Sequence, residues 1–133
     1  MTVLQLDGLE WHDGWLASVL RIDDGRFYAA CAVAIDWNRS CIRFALCQIS
    51  QVQAASLSDH YKRSGFSPEL NEAWKDALSG GPVYLIDEEP YEGGSFNFVE
   101  SNETERELLM SYPLPLVDIA SSEEAQRTWL NYT

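Results

Sequence analysis

Cations are scarce in this chain. Nine Lys and Arg stand against 21 Asp and Glu, a formal net charge of −12 at pH 7. Nucleic acid needs a basic groove and an anionic membrane favours one, so neither is expected as a partner. Cysteine is equally sparse. Cys31, Cys41 and Cys47 are an odd set in apolar, strand-like surroundings, which reads as buried thiols in a reducing compartment rather than a disulfide framework. The close Cys pairs or His neighbours of a zinc site are missing. The acidic run near residue 90 does not follow the ligand spacing of a calcium loop, so no metal or cofactor is expected. Gly-x-Ser-x-Gly, a phosphate-binding glycine loop and a zinc-protease His pair are all lacking. No apolar run is long enough to span a bilayer. The start, Met1-Thr2-Val3-Leu4-Gln5-Leu6-Asp7, has no basic segment followed by an apolar stretch, so a soluble cytoplasmic protein is expected.

What is present is enough for a core. The 133 residues are expected to form a single domain spanning 1–133. A chain of this length buries about two-thirds of its unfolded surface. Five Trp, six Tyr and five Phe argue against disorder.

The first third reads as strands. Trp15–Ile22, Phe27–Ile35 and Cys41–Ile49 are apolar runs of strand length, and Val3–Leu6, with Glu10 and Trp11 as an extension, adds a leading strand. Asp23-Asp24-Gly25-Arg26 between two of these runs is a hairpin signal, because glycine tolerates the positive φ of a tight turn. In the middle run Phe27, Ala29, Cys31, Val33 and Ile35 share one face, and Tyr28, Ala30, Ala32 and Ala34 the other. Neither face is polar, which places this strand centrally with both sides covered. The alanine-rich face is expected to receive a closely packed helix. Arg21 and Arg43 interrupt the flanking runs and mark exposed or interface positions.

Residues 51–64 carry only a weak helical stripe. The next segment is clearer, with Ser67 as N-cap, Pro68 at the first helical position and Leu70, Ala73, Trp74, Ala77 and Leu78 at helical spacing. Gly80-Gly81-Pro82 stops it. A short strand Val83–Ile86 and a return strand Ser95–Val99 follow. Asn102-Glu103-Thr104-Glu105 resembles a capping box opening a helix toward Tyr112, and residues 121–130 read as a last helix. The expected fold is α+β: a curved antiparallel sheet of about five strands in hairpins, with two to four helices mainly on one face.

Charge is unevenly distributed. Residues 1–68 hold seven acids against six cations, and residues 69–133 hold fourteen against three. The densest run is Asp87-Glu88-Glu89-Pro90-Tyr91-Glu92, followed by Glu100, Glu103, Glu105 and Glu107. With Asp87 ending one strand and Glu100 ending its partner, the two are expected near each other. Uncompensated carboxylates repel one another, so a cationic protein partner is expected there, with Tyr91 and the hairpin residue Trp37 as aromatic anchors.

No motif assigns a characterised family. The layout, a small acidic α+β chain with a carboxylate-rich second half, looks like bacterial immunity proteins that neutralise cationic toxin domains. It also looks like type III secretion chaperones in size and acidity, departing from them where Asp7-Gly8 and Asp13-Gly14 interrupt the leading helix. No functional residue is carried over from either. The leading expectation is a non-catalytic inhibitor or immunity-type module for a basic partner such as a toxin domain. The alternative is a small enzyme or ligand-binding protein with a sheet–helix pocket beside His12 or His60, each of which follows or precedes an Asp able to orient an imidazole.

Overall fold

The computed structural model describes residues 1–11, 15–36, 41–64, 68–79, 81–104, 106 and 107. Its elements are β1 (Val3–Trp11), β2 (Trp15–Ile22), β3 (Phe27–Asp36), β4 (Cys41–Ile49), α1 (Gln51–Ser64), α2 (Pro68–Ser79), β5 (Val83–Ile86) and β6 (Val99–Glu100). The strands form one antiparallel sheet in chain order. Among the described residues the architecture is α+β, with six strands where about five were expected and helices α1 and α2 inserted between β4 and β5. The motif at Asn102 begins a helical turn in which the Arg106 N–H donates to the Asn102 carbonyl at 3.0 Å. Its continuation toward Tyr112 and the expected helix at 121–130 lie outside the described residues.

The β2–β3 turn forms as its sequence dictates. Gly25 takes φ 87°, and the Ile22 N–H donates to the Arg26 carbonyl at 3.0 Å. The Asp24 carboxylate accepts from the Arg26 backbone N–H at 3.0 Å and pairs with its guanidinium, which holds the Asp24 carboxyl below its usual range.

The sheet has two covered faces. Ala17, Val19, Ala29, Cys31, Ala45 and Cys47 pack against Ala54 and Leu57 of α1 and Ala77 of α2. On the other face Leu20, Ile22, Tyr28, Ala30, Phe44 and Leu46 pack against Phe96 and Phe98. The helices therefore sit on the Phe27–Ala29–Cys31 side of β3, and the expected assignment to the Tyr28–Ala30–Ala32 side is corrected. The physical reason is size matching. Ala29 pairs with Cys47, and Cys31 with Ala45. This leaves a low surface on which α1 and α2 can sit, whereas Tyr28 projects from the opposite face and needs partners that wrap it.

Those partners come from residues 87–98, which form a strap. The strap leaves β5, crosses the second face and reaches the far edge of the sheet. There the Val3 N–H donates to the Gly94 carbonyl at 2.9 Å, the Gly93 N–H to Val3 at 2.8 Å and the Phe96 N–H to Met1 at 2.9 Å. The Met1 ammonium donates back to the Phe96 carbonyl at 2.9 Å. The strap then returns to place β6 beside β5. The expected return strand at 95–99 is thus reduced to Val99–Glu100, because residues 95 and 96 bond to the N-terminus instead.

A bulge in β1 makes this geometry consistent. The register runs Val3↔Ile22 and then Gln5↔Arg21, a shift of one residue around Leu4. Val3 and Leu6, which strict alternation would send to opposite faces, both join the strap-side core. Gln5 and Asp7 are turned toward α1, where the Ser58 hydroxyl donates to Asp7 Oδ2 at 2.6 Å.

Helix α1 starts with a reciprocal cap. The Gln53 N–H donates to Ser50 Oγ at 3.0 Å, and the Ser50 N–H donates to Gln53 Oε1 at 2.8 Å. Ser50→Ala is expected to cost about 1 kcal/mol and to lower Tm by roughly 3–6 °C in a thermal melt. An unchanged Tm would show that tertiary packing alone holds this end.

Candidate functional site

Two regions bear on function, the carboxylates of residues 87–107 and a groove beside α1. The carboxylates do not form one patch. Glu92 lies at the β1 edge, where its Oε1 accepts the Leu6 N–H at 3.0 Å. It occupies a backbone donor on an edge strand, a common way to blunt such an edge. Tyr91 belongs to the same side, packed edge-on against Phe96 with ring centroids 5.3 Å apart while remaining 56 % exposed. Glu100 is on β6, at the other side of a six-stranded sheet. Five strand spacings separate the two edges, roughly 24 Å.

Around β5 and β6 the acids are closer together. Asp87 accepts a two-pronged contact from Arg43 of β4, with Nε to Oδ1 at 2.6 Å and Nη2 to Oδ2 at 3.1 Å. The register sets Glu100 opposite Tyr84. That is three residues along β5 from Asp87, roughly 10 Å. The two carboxylates therefore flank a shallow cleft of ≈ 320 Å³, whose walls include Arg43, Asn97 and Val99, without meeting. Glu88, Glu100, Glu103 and Glu107 are exposed, as is Val99 at 57 %. Glu89 is half-buried. Arg106 shares a cleft with Glu100 and Glu103 and donates to the Ser79 carbonyl at 3.0 Å. Beside it the Ser101 hydroxyl is buried with no hydrogen-bond partner among the described residues. Trp37 and Glu105 lie outside the described residues.

The groove is the larger feature, ≈ 610 Å³ between α1 and the first three strands. The β1 bulge and the β1–β2–β3 register set Gln5, Arg21 and Phe27 in one row across its floor, with Asp7 and Val19 in the next. Its other wall is α1, with Gln51, Ala55, Asp59 and Lys62. His60 is half-buried on α1 and does not line the groove, and His12 lies outside the described residues. Sequence patterning missed this site because the α1 stripe was weak and the bulge that turns Asp7 inward has no marker residue. The Ser50-x-x-Gln53 box was a readable signal for α1.

Cys47 is buried under the helices, and burial pushes its thiol up to about 12, leaving almost no thiolate at neutral pH. No group of three His, Cys, Asp or Glu placed to hold a metal occurs among the described residues. Among the same residues no helix is long and apolar enough to cross a membrane. No family model matches the chain, and no curated protein or solved structure does either.

Proposed function

We propose that this chain is a non-catalytic protein-binding module that neutralises a basic partner, in the manner of an inhibitor or immunity protein. The observation that supports it is the β5–β6 edge, where Glu100 and Glu103 share one cleft, Glu100, Asp87 and Val99 share another, and Glu88, Glu100, Glu103 and Val99 are exposed. The nearby cations, Arg43 and Arg106, are turned to Asp87 and the Ser79 carbonyl. Carboxylates in such an array attract a cationic surface at long range, and the apolar residue among them is the kind of contact that slows dissociation. A toxin domain whose own nucleic-acid cleft is basic has the required chemistry, with carboxylates standing where phosphates would. Tyr91 and Glu92 belong to the other edge and are not part of this surface.

The test has two stages. Affinity capture at low salt should recover one basic protein in a stoichiometric complex that a salt gradient dissociates. The triple variant Glu88→Gln, Glu100→Gln, Glu103→Gln should then slow association with that protein by about tenfold or more at low ionic strength, with the difference shrinking as salt is raised. An unchanged on-rate, or no stoichiometric partner, would leave the acids as a sheet-edge and solvation device only. The reading as a histidine-lined enzyme or ligand pocket keeps one supporting feature, the groove itself, whose described lining contains no histidine.

A further inference from the structure

The groove beside α1 carries an inference independent of the acidic edge. We infer that it binds a small organic monocarboxylate with an apolar or aromatic body, anchored by Arg21. Three observations carry this. Arg21 is half-buried on the groove floor, and among the described residues nothing pairs with it. The other arginines among the described residues are engaged, Arg63 with the Asp59 carbonyl at 3.3 Å. Arg26 is paired with Asp24, Arg43 with Asp87, and Arg106 with the Ser79 carbonyl. A half-buried guanidinium that keeps its fork of donors unused is the group that recognises a planar carboxylate by two parallel hydrogen bonds.

The second observation is the floor next to it. Phe27 is the direct cross-strand neighbour of Arg21 and is only partly buried. Its ring continues into the Val19 and Ala54 surface, so an apolar body attached to the carboxylate has a place to lie. Pockets for small ligands combine such a surface with a few placed polar groups.

The third observation is charge balance, which decides between classes of anion. Arg21 and Lys62 line the groove together with Asp7 and Asp59. Opposing signs of equal number disfavour a phosphate dianion and suit a single negative charge placed at the Arg21 end. That end also holds the start of α1, whose first turn has no acidic side chain. Asp7, held by the Ser58 hydroxyl, lies one row further along β1, where it leaves room for a neutral or positively charged tail.

The test uses the intact ¹⁵N-labelled protein and two probes of the same shape, N-acetylphenylalanine and its neutral amide. The carboxylate is expected to give saturable amide shifts at Arg21, Phe27, Gln51 and Ala55, and the amide to bind about tenfold more weakly or worse. Arg21→Met should bring the carboxylate down to the level of the amide. Arg63→Met removes the same charge from α1 outside the groove and should leave binding within about twofold of the parent. Shifts that never saturate, equal binding of the two probes, or equal losses in the two Arg variants would each overturn the proposal. A thermal melt of each variant, run alongside, distinguishes lost binding from lost folding.

Discussion

Tyr28→Ala is expected to be among the most damaging single substitutions in this chain, costing about 3–5 kcal/mol. Tyr28 is 1 % exposed at the centre of the sheet and is among the largest fully buried side chains. Its ring meets Phe98 edge-on at 5.2 Å and Tyr84 at 6.2 Å, while Tyr84 and Phe98 lie 6.2 Å apart. The three rings join β3, β5 and the returning end of the strap. Each edge-on pair contributes roughly 0.5–1.5 kcal/mol beyond the area it buries. Truncating Tyr28 opens a cavity under the strap and removes two of these contacts together. A domain of this size is stable by only about 5–15 kcal/mol, so the variant should lose a large part of its urea midpoint. Tyr91→Ala is the comparison. Tyr91 also makes one edge-on contact, with Phe96, but is mostly exposed, and its loss should cost about 1 kcal/mol or less. Similar midpoints for the two variants would show that the strap does not depend on the Tyr28 cluster.

A second large effect is expected at alkaline pH. Burial raises the Cys47 thiol from its ordinary 9.0 to about 12 in the folded chain. The folded state therefore keeps this proton over a range in which the unfolded state has released it. The contribution to stability is whole below pH 9 and is lost as pH rises through that range toward 12. The slope is about 1.4 kcal/mol per pH unit, so the loss approaches about 4 kcal/mol at the upper end. Tyr28, whose phenol is also raised by burial, adds to the same trend above its ordinary 10.0. Urea titrations of the parent and of Cys47→Val at pH 8 and pH 10.5 isolate the cysteine. The midpoint of the parent should fall more steeply than that of the variant. Parallel falls would show that Cys47 ionises freely in the folded chain and that the helices do not seal it. The same burial predicts that Cys47 resists alkylation until the chain unfolds.

Local signals in the sequence reached a good part of this architecture. Asp24-Gly25 marked a hairpin because the turn needs a positive φ, which Gly25 adopts. The two apolar faces of β3 marked a central strand because neither could be left in water, and both are covered. Pro68 and the stripe after it marked α2 through propensities that act within a few residues. The Ser50–Gln53 cap belongs to the same class, being a local pattern that decides a weakly amphipathic segment in favour of helix.

Other features depend on contacts between distant residues. The acids at 87–107 are neighbours in sequence, yet the strap carries Glu92 across the sheet to Leu6 and leaves Glu100 on β6. Arg43 and Asp87, 44 residues apart, become a pair only when β4 and β5 align. The face of β3 that the helices cover was chosen by the relief of the packed sheet, since both faces are equally apolar along the chain. The groove requires the β1 bulge, the position of α1 over β1 and β2, and the row of Gln5, Arg21 and Phe27 facing α1 at once. Periodicity, turns and caps are governed by sterics and hydrogen bonds within a few residues, so this sequence by itself determined the strand-rich first third, the helix at Pro68 and the overall negative charge. Which carboxylates share a surface, and which of the described arginines is left without a partner, are set by long-range packing, and only the tertiary structure decided them.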